Sequence, residues 1–131
     1  MITDTEIKLR PKELADAQND YLWQTDPELA GLDASPPLTM SFPQYLADYS
    51  RVLRHPSAHR RSFAIETRDG QHIGNCTYYG IDQTSGETEM GIMIGNRDYW
   101  DKGYGTRSVA VLLEHIFRQT KLKRVYLKTL E

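Results

Sequence analysis

The sequence predicts a mixed α/β (α+β) domain built on a mostly antiparallel sheet with flanking helices, and three observations predict it. Between Ser62 and Ile94, apolar residues recur with period two in runs separated by turn residues, which is the signal of a strand meander. From about Gly105 to Thr120, Val109, Leu112, Leu113, Ile116 and Phe117 fall at i, i+3, i+4, i+7 and i+8, the stripe of a helix with one core-facing side. The strand runs follow one another rather than alternating with helices, so a doubly wound parallel sheet is excluded.

Taken in order, Ile7 and Leu9 alternate with Lys8 and Arg10 in a short first strand that stops at Pro11. A helix is expected from Lys12 to Trp23, with Leu14, Ala17 and Leu22 near helical spacing. Asp26-Pro27 then opens a less regular stretch, and Gly31 to Thr39 reads as loop. Ser41, with Gln44 three residues on, is a good N-cap for a second helix over Phe42 to Leu53, closed by His55-Pro56. The meander follows: Phe63 and Ile65, the turn Arg68-Asp69-Gly70, a strand from Gln71 to Ile81, a turn from Asp82 to Gly86, and a strand from Glu87 to Ile94. After the long helix, Val125, Leu127 and Leu130 point to a last strand.

At 131 residues the chain is expected to be a single domain, 1–131. Sixteen basic residues against eighteen acidic leave a formal charge of −2, with no general field for nucleic acid or an anionic membrane surface. No apolar run approaches the roughly 20 residues that cross a bilayer. Cys76, the single cysteine, has no partner for an internal disulfide, and the polar start lacks a signal peptide's apolar run. Both favour a cytoplasmic protein. His55, His59, His72 and His115 show no paired metal spacing, so no metal is expected.

Chemistry concentrates where the strand Glu87 to Ile94 leads into Lys102-Gly103-Tyr104-Gly105-Thr106 and the long helix. Glycines without Cβ let the backbone turn sharply and bring successive N–H groups together. The first four N–H groups of a helix lack intrahelical partners, and the helix dipole adds positive potential there. A pyrophosphate fits such a site, with Lys102 beside it as a possible point charge. The motif is neither a Walker A loop nor the dinucleotide fingerprint, because no Gly-Lys-Ser/Thr ending or third glycine follows. An adenine-nucleotide or simple phosphate binder would use the same helix start.

The run Glu89-Met90-Gly91-Ile92-Met93-Ile94, followed by Arg97-Asp98-Tyr99-Trp100-Asp101-Lys102-Gly103-Tyr104-Gly105-Thr106, resembles the acetyl-coenzyme A signature of the GNAT superfamily of N-acetyltransferases. The family pattern is Gln/Arg-x-x-Gly-x-Gly/Ala. Trp100 departs from its first position in a way that resembles the branch of ribosomal-protein N-terminal acetyltransferases and their small-molecule relatives.

The resemblance implies a GNAT-like fold that uses acetyl-CoA as co-substrate. It implicates Ile92, Met93 and Ile94 in pairing with the pantetheine arm, and Asp101, Lys102, Gly103, Tyr104, Gly105 and Thr106 in holding the pyrophosphate, with the Asp101 carboxylate turned to solvent. It further implies an acceptor that is a primary amine, on a small molecule or a protein N-terminus. Glu89 is the candidate base that takes the amine proton, with Glu87 the alternative on the same strand face. Otherwise both are solvated charges at a meander edge.

The family's last helix and two strands have no counterpart before Glu131, so the fold is expected to be C-terminally incomplete, and Tyr126 cannot take the role of that helix's tyrosine. An exposed last strand would favour a homo-oligomer through the sheet edge. A non-catalytic, coenzyme A-binding or self-associating module is the alternative to an active acetyltransferase. Cys76 reads as a small buried filler, only one of Tyr78 and Tyr79 can face a cleft, and Trp23, Phe42, Tyr45 and Tyr49 read chiefly as packing residues.

Overall fold

The computed structural model describes residues 2–3, 6–32 and 37–127. These fall into two compact units, one formed by the residues up to Pro11 together with those from Ala58 onward, the other by Lys12–Ser57. The first unit holds every strand: β1 (Ile2–Thr3), β2 (Ile7–Pro11), β3 (Arg60–Thr67), β4 (His72–Asp82), β5 (Glu87–Ile94) and β6 (Arg124–Leu127). They form one sheet in sequential order, antiparallel throughout except that β6 runs parallel to β5. A parallel neighbour requires a crossover, and α4 (Tyr104–Gln119) supplies it.

α4 buries the predicted stripe in part: Leu112 and Ile116 are fully buried, Val109 and Leu113 are half-buried, and the buried face turns toward Ser108 and Val111. Val111, Leu112 and Ile116 pack with Ile7, Leu9, Ile65, Ile73 and Met90 in a single cluster on one sheet face. Phe117, at the margin of the stripe, stays 50% exposed. Cys76 and Tyr78 belong to this core and are buried, whereas Tyr79 faces the other way and is half-buried, as period two requires. The opposite face carries an ion pair instead: Glu66, 9% exposed, accepts from Arg10 and lies 3.2 Å from the Lys8 ammonium.

The Arg10 guanidinium, with Lys8 beside it, holds the Glu66 carboxyl below its ordinary range against the opposing effect of burial. A lowered native value means this stability is present above the usual glutamate range and is lost as pH falls through the lowered value. Glu66→Gln is expected to reduce the unfolding free energy by roughly 1–3 kcal/mol at pH 7. It should also flatten the acid limb of a stability–pH curve measured by urea denaturation.

Gly74 on β4 faces Ile94 on β5, and the strands approach so closely there that a Cβ would lie 2.2 Å from the Met93 carbonyl oxygen and 2.9 Å from the Ile94 Cα. Both obstacles are backbone, so Gly74→Ala must part the strands. An overpacking cost of about 3 kcal/mol is expected in denaturation. The displacement falls on the end of β5 that carries the candidate site.

The second unit contains a 3₁₀ turn (Leu14–Asp16), α1 (Ala17–Thr25), α2 (Pro27–Leu32) and α3 (Phe42–Arg54). It departs from the expected single helix over Lys12 to Trp23. Asp16 closes the 3₁₀ turn by accepting the Glu13 N–H at 2.8 Å, and α1 starts after it. The buried side of α1 carries Ala17 and Asp20, while Leu14 and Leu22 are 48% and 58% exposed. Asp20 tolerates burial because Lys12 pairs with it and the Tyr49 hydroxyl donates to it at 2.7 Å. Burial and the Asp20 charge push the Tyr45 and Tyr49 phenols up, which keeps both neutral and Tyr49 a donor to Asp20.

The stretch after Asp26 is helical rather than irregular. The Asp26 carboxylate accepts the N–H groups of Glu28 and Leu29 at 2.9 and 3.2 Å, and Pro27 occupies the first helical position, where its missing N–H costs nothing. Gly31 and Leu32 thus belong to α2, and residues 33–36 of the expected loop lie outside the described residues. Ser41 caps α3 as expected, its hydroxyl accepting from Gln44 N–H at 3.4 Å. Trp23 is half-buried, and Tyr21, Phe42, Tyr45 and Tyr49 pack ring to ring with neighbouring centroids 5.2–5.7 Å apart.

Candidate active site

The site begins at the open edge of β5. The Gly95 N–H donates to the Ile73 carbonyl at 2.9 Å, which makes Ile73 and Gly95 a hydrogen-bonded pair of the antiparallel ladder. Alternation then turns the peptide groups of Gly91 and Met93 toward β4 and those of Ile92 and Ile94 to the other edge. Among the described residues β6 pairs along that edge from Glu87 to Met90. Further along, Ile92 and Ile94 turn their main-chain groups to the same edge, where no strand lies among the described residues, the arrangement that an extended ligand can pair with. Met93 lies between them with its peptide groups committed to Asn75.

The glycine turn stands across from this edge. Gly103 caps α4 in the left-handed region at φ 82°, a conformation that glycine adopts without strain. The Arg107 N–H donates to the Gly103 carbonyl at 3.0 Å, the first bond of α4, so the N–H groups of Gly103, Tyr104, Gly105 and Thr106 precede the helical ladder. No side chain caps them. A Cβ on Gly103 or Gly105 would meet nothing within 4 Å, so the space above the turn is open.

Ile94, Trp100 and the turn line a cleft of about 290 Å³. Tyr99 and Tyr104 meet edge to face beside it, 5.3 Å between centroids, and buried Ser108 donates to the Tyr104 carbonyl at 2.7 Å beneath it. Asp101 and Lys102 are exposed on the rim, Asp101 with a φ of 59°. An open notch with strand-edge donors at one end and uncapped helix amides at the other fits a ligand with an extended amide-bearing arm and a pyrophosphate.

Glu89 lies on the sheet face opposite α4, two residues before Gly91, where the edge opens. The two candidate carboxylates differ: Glu87 lies 3.7 Å from Arg124, whereas no cation among the described residues pairs with Glu89. Instead Glu89 sits in register between Tyr79 on β4 and Tyr126 on β6, the latter 52% exposed.

The model of the acetyltransferase (GNAT) domain matches residues 6–131. The chain belongs to the GNAT acetyltransferase family. It is therefore an acyltransferase by family, and GNAT enzymes use acetyl-CoA. An uncharacterized N-acetyltransferase, p20, of Bacillus licheniformis is 30% identical over 127 residues, covering 93% of this chain and 68% of the relative. Among solved structures, spermidine N-acetyltransferase from Vibrio cholerae in complex with CoA and spermine superposes with a TM-score of 0.83 at 20% identity, over 95% of this chain and 71% of that one. A domain from Methanocaldococcus jannaschii DSM 2661 gives a TM-score of 0.75 at 20% identity, over 98% of this chain and 80% of that one. At these identities the two structures speak for the fold.

This GNAT domain brings the sequence-predicted turn and strand end to one cleft and sets Glu89 on the same strand. Sequence reasoning missed Trp100 as a structural partner of Ile94, Tyr126 as the neighbour of Glu89, and Gly74 as the spacer behind β5. The last two depend on partners distant in the chain, and the first on how the turn after β5 folds back over six residues. No group of three or more potential metal ligands occurs among the described residues, and no helix there is long and apolar enough to cross a membrane.

Proposed function

We propose that the chain transfers an acetyl group from acetyl-CoA to a primary amine, on a small molecule or a protein N-terminus, with Glu89 as general base. The supporting observation is the pairing of an open β5 edge at Ile92 and Ile94 with uncapped amides at residues 103–106. Acetyl-CoA supplies the activated thioester. The Ile92 N–H polarises its carbonyl, Ile94 holds the arm, and the amides of Gly103, Tyr104, Gly105 and Thr106 bind the pyrophosphate. Asp101 and Lys102 flank that group from the rim.

A primary ammonium sheds two protons in becoming an amide, one ending on the departing thiol and one in solvent. Glu89 takes the first from the ammonium, directly or through water, and frees the nitrogen lone pair for attack. The Arg124 contact of Glu87 and the place of Glu89 nearer Gly91 on β5 favour Glu89 over Glu87 for this role.

The reading is tested by thiol release from acetyl-CoA with a panel of amines, coenzyme A affinity being measured on the same sample. Amine-dependent release is expected. Binding without release would leave a coenzyme A-binding module, and heat protection by ATP but not by desulfo-coenzyme A would replace it with a nucleotide site. Self-association belongs to the same proposal, because β6 is the last strand of the sheet among the described residues and its Tyr126 and Leu127 are 52% and 46% exposed. Light scattering should give a mass above that of the monomer; a monodisperse monomer refutes this part alone.

A further inference from the structure

Trp100 lies between the two halves of the cleft, and the acetyl-transfer chemistry leaves it without a task. Its indole Nε1–H donates to the main-chain carbonyl of Ile94 at 2.7 Å. The Trp100 N–H donates to the Arg97 carbonyl at 3.1 Å, and the Arg97 guanidinium sits over the indole, 5.5 Å from its centroid. The ring is thus tied to the 3₁₀ turn Arg97–Tyr99 on one side and to the last residue of β5 on the other.

The carbonyl it occupies is one of the groups that strand alternation turns to the open edge. With that acceptor taken, the edge offers the N–H and C=O of Ile92 and only the N–H of Ile94. Equivalent edge groups repeat every second residue, so an extended ligand can slip along a strand in steps of about 6.6 Å. Such a slip would carry a thioester well away from Ile92. Occupying the Ile94 carbonyl removes the acceptor that the slipped register needs.

We propose that Trp100 is a positioning residue for the coenzyme: by holding the Ile94 carbonyl it sets the offset between the β5 edge and the helix amides, and admits one register of the pantetheine arm. This rests on the acetyl-CoA reading of the cleft. Trp100 acts through Ile94 and takes no part in the chemistry.

The test compares two ligands in calorimetry, coenzyme A and 3′-phosphoadenosine 5′-diphosphate, which keeps the pyrophosphate but lacks the arm. Trp100→Phe is expected to weaken coenzyme A about tenfold and the arm-less ligand less than twofold. Equal weakening of both would make Trp100 only a support for the anion turn, and no weakening would leave it no role; either result overturns the proposal.

A second measurement uses the wild-type chain in case the variant folds poorly. The Trp100 indole proton should exchange slowly with solvent, both free and with coenzyme A bound, while the Ile92 and Ile94 amides become protected on binding. Exchange of the indole at the rate of free tryptophan overturns the proposal. Failure of the folded wild-type chain to bind coenzyme A overturns the acetyl-CoA reading itself, an outcome distinct from a failed ligand ratio in Trp100→Phe.

Discussion

Replacing Gly105 by valine is expected to weaken acetyl-CoA binding by at least about 100-fold, ~2.8 kcal/mol, while the fold persists. Gly105 is the second residue of α4, and a Cβ there would meet nothing within 4 Å. The substitution therefore clashes with no part of the protein, and valine is the better helix former by a few tenths of a kcal/mol. Its methyl groups would instead fill the space above the turn, where a phosphate must approach the amides of residues 103–106. Two charge-assisted hydrogen bonds, at roughly 1.5–3 kcal/mol each, account for the loss.

Gly103→Val makes the useful contrast. Its φ of 82° imposes about 1–2 kcal/mol of strain on any residue with a Cβ, so that variant should lose stability as well as affinity. Calorimetry paired with thermal melting separates the two effects. Unchanged affinity in Gly105→Val would remove the turn from the binding site.

The second large effect is expected at Glu89. Glu89→Gln should lower kcat at neutral pH by about 100-fold or more, within the usual range for loss of a general base, and leave the coenzyme A Kd unchanged. The residual rate should climb with pH, because solvent then supplies the neutral amine that the carboxylate no longer produces. Glu87→Gln is the control. It removes a contact with Arg124 whose side chain is 71% exposed, a surface pair worth little, and should leave turnover near normal. Equal turnover in Glu89→Gln would return Glu89 to a solvated charge on the sheet.

Much of the fold was legible because it is local. Period two marks β5 residue for residue, Glu87–Ile94, and the apolar stripe marks α4 within a residue at each end. The Ser41 cap and the glycine turn are likewise written in neighbouring residues. The errors are also local in origin: Pro27 was read as a breaker although Asp26 makes it the start of a helix. The expected last strand is seen from Arg124 to Leu127, and its continuation to Leu130 lies outside the described residues.

The buried side of α1 was illegible for another reason. Nothing within one turn of Asp20 says that Lys12 and Tyr49 will meet it there, so Leu14 and Leu22 looked like the inward residues.

The glycine turn, the strand before it and the carboxylate at that strand's start follow from residue type and spacing alone, since caps, periodicity and missing Cβ atoms act over a few residues. Tertiary structure alone decided that Ile92 and Ile94, rather than Met93, face the open edge, that Trp100 closes the Ile94 carbonyl, and that Tyr79 and Tyr126 flank Glu89. The edges and the neighbours of Glu89 depend on which strands lie beside β5 and in what register, and the Trp100 bond on how the turn after β5 folds back. Pairing between strands is set by contacts distant in sequence, and a one-residue change of register would reverse every face and edge on which the site depends.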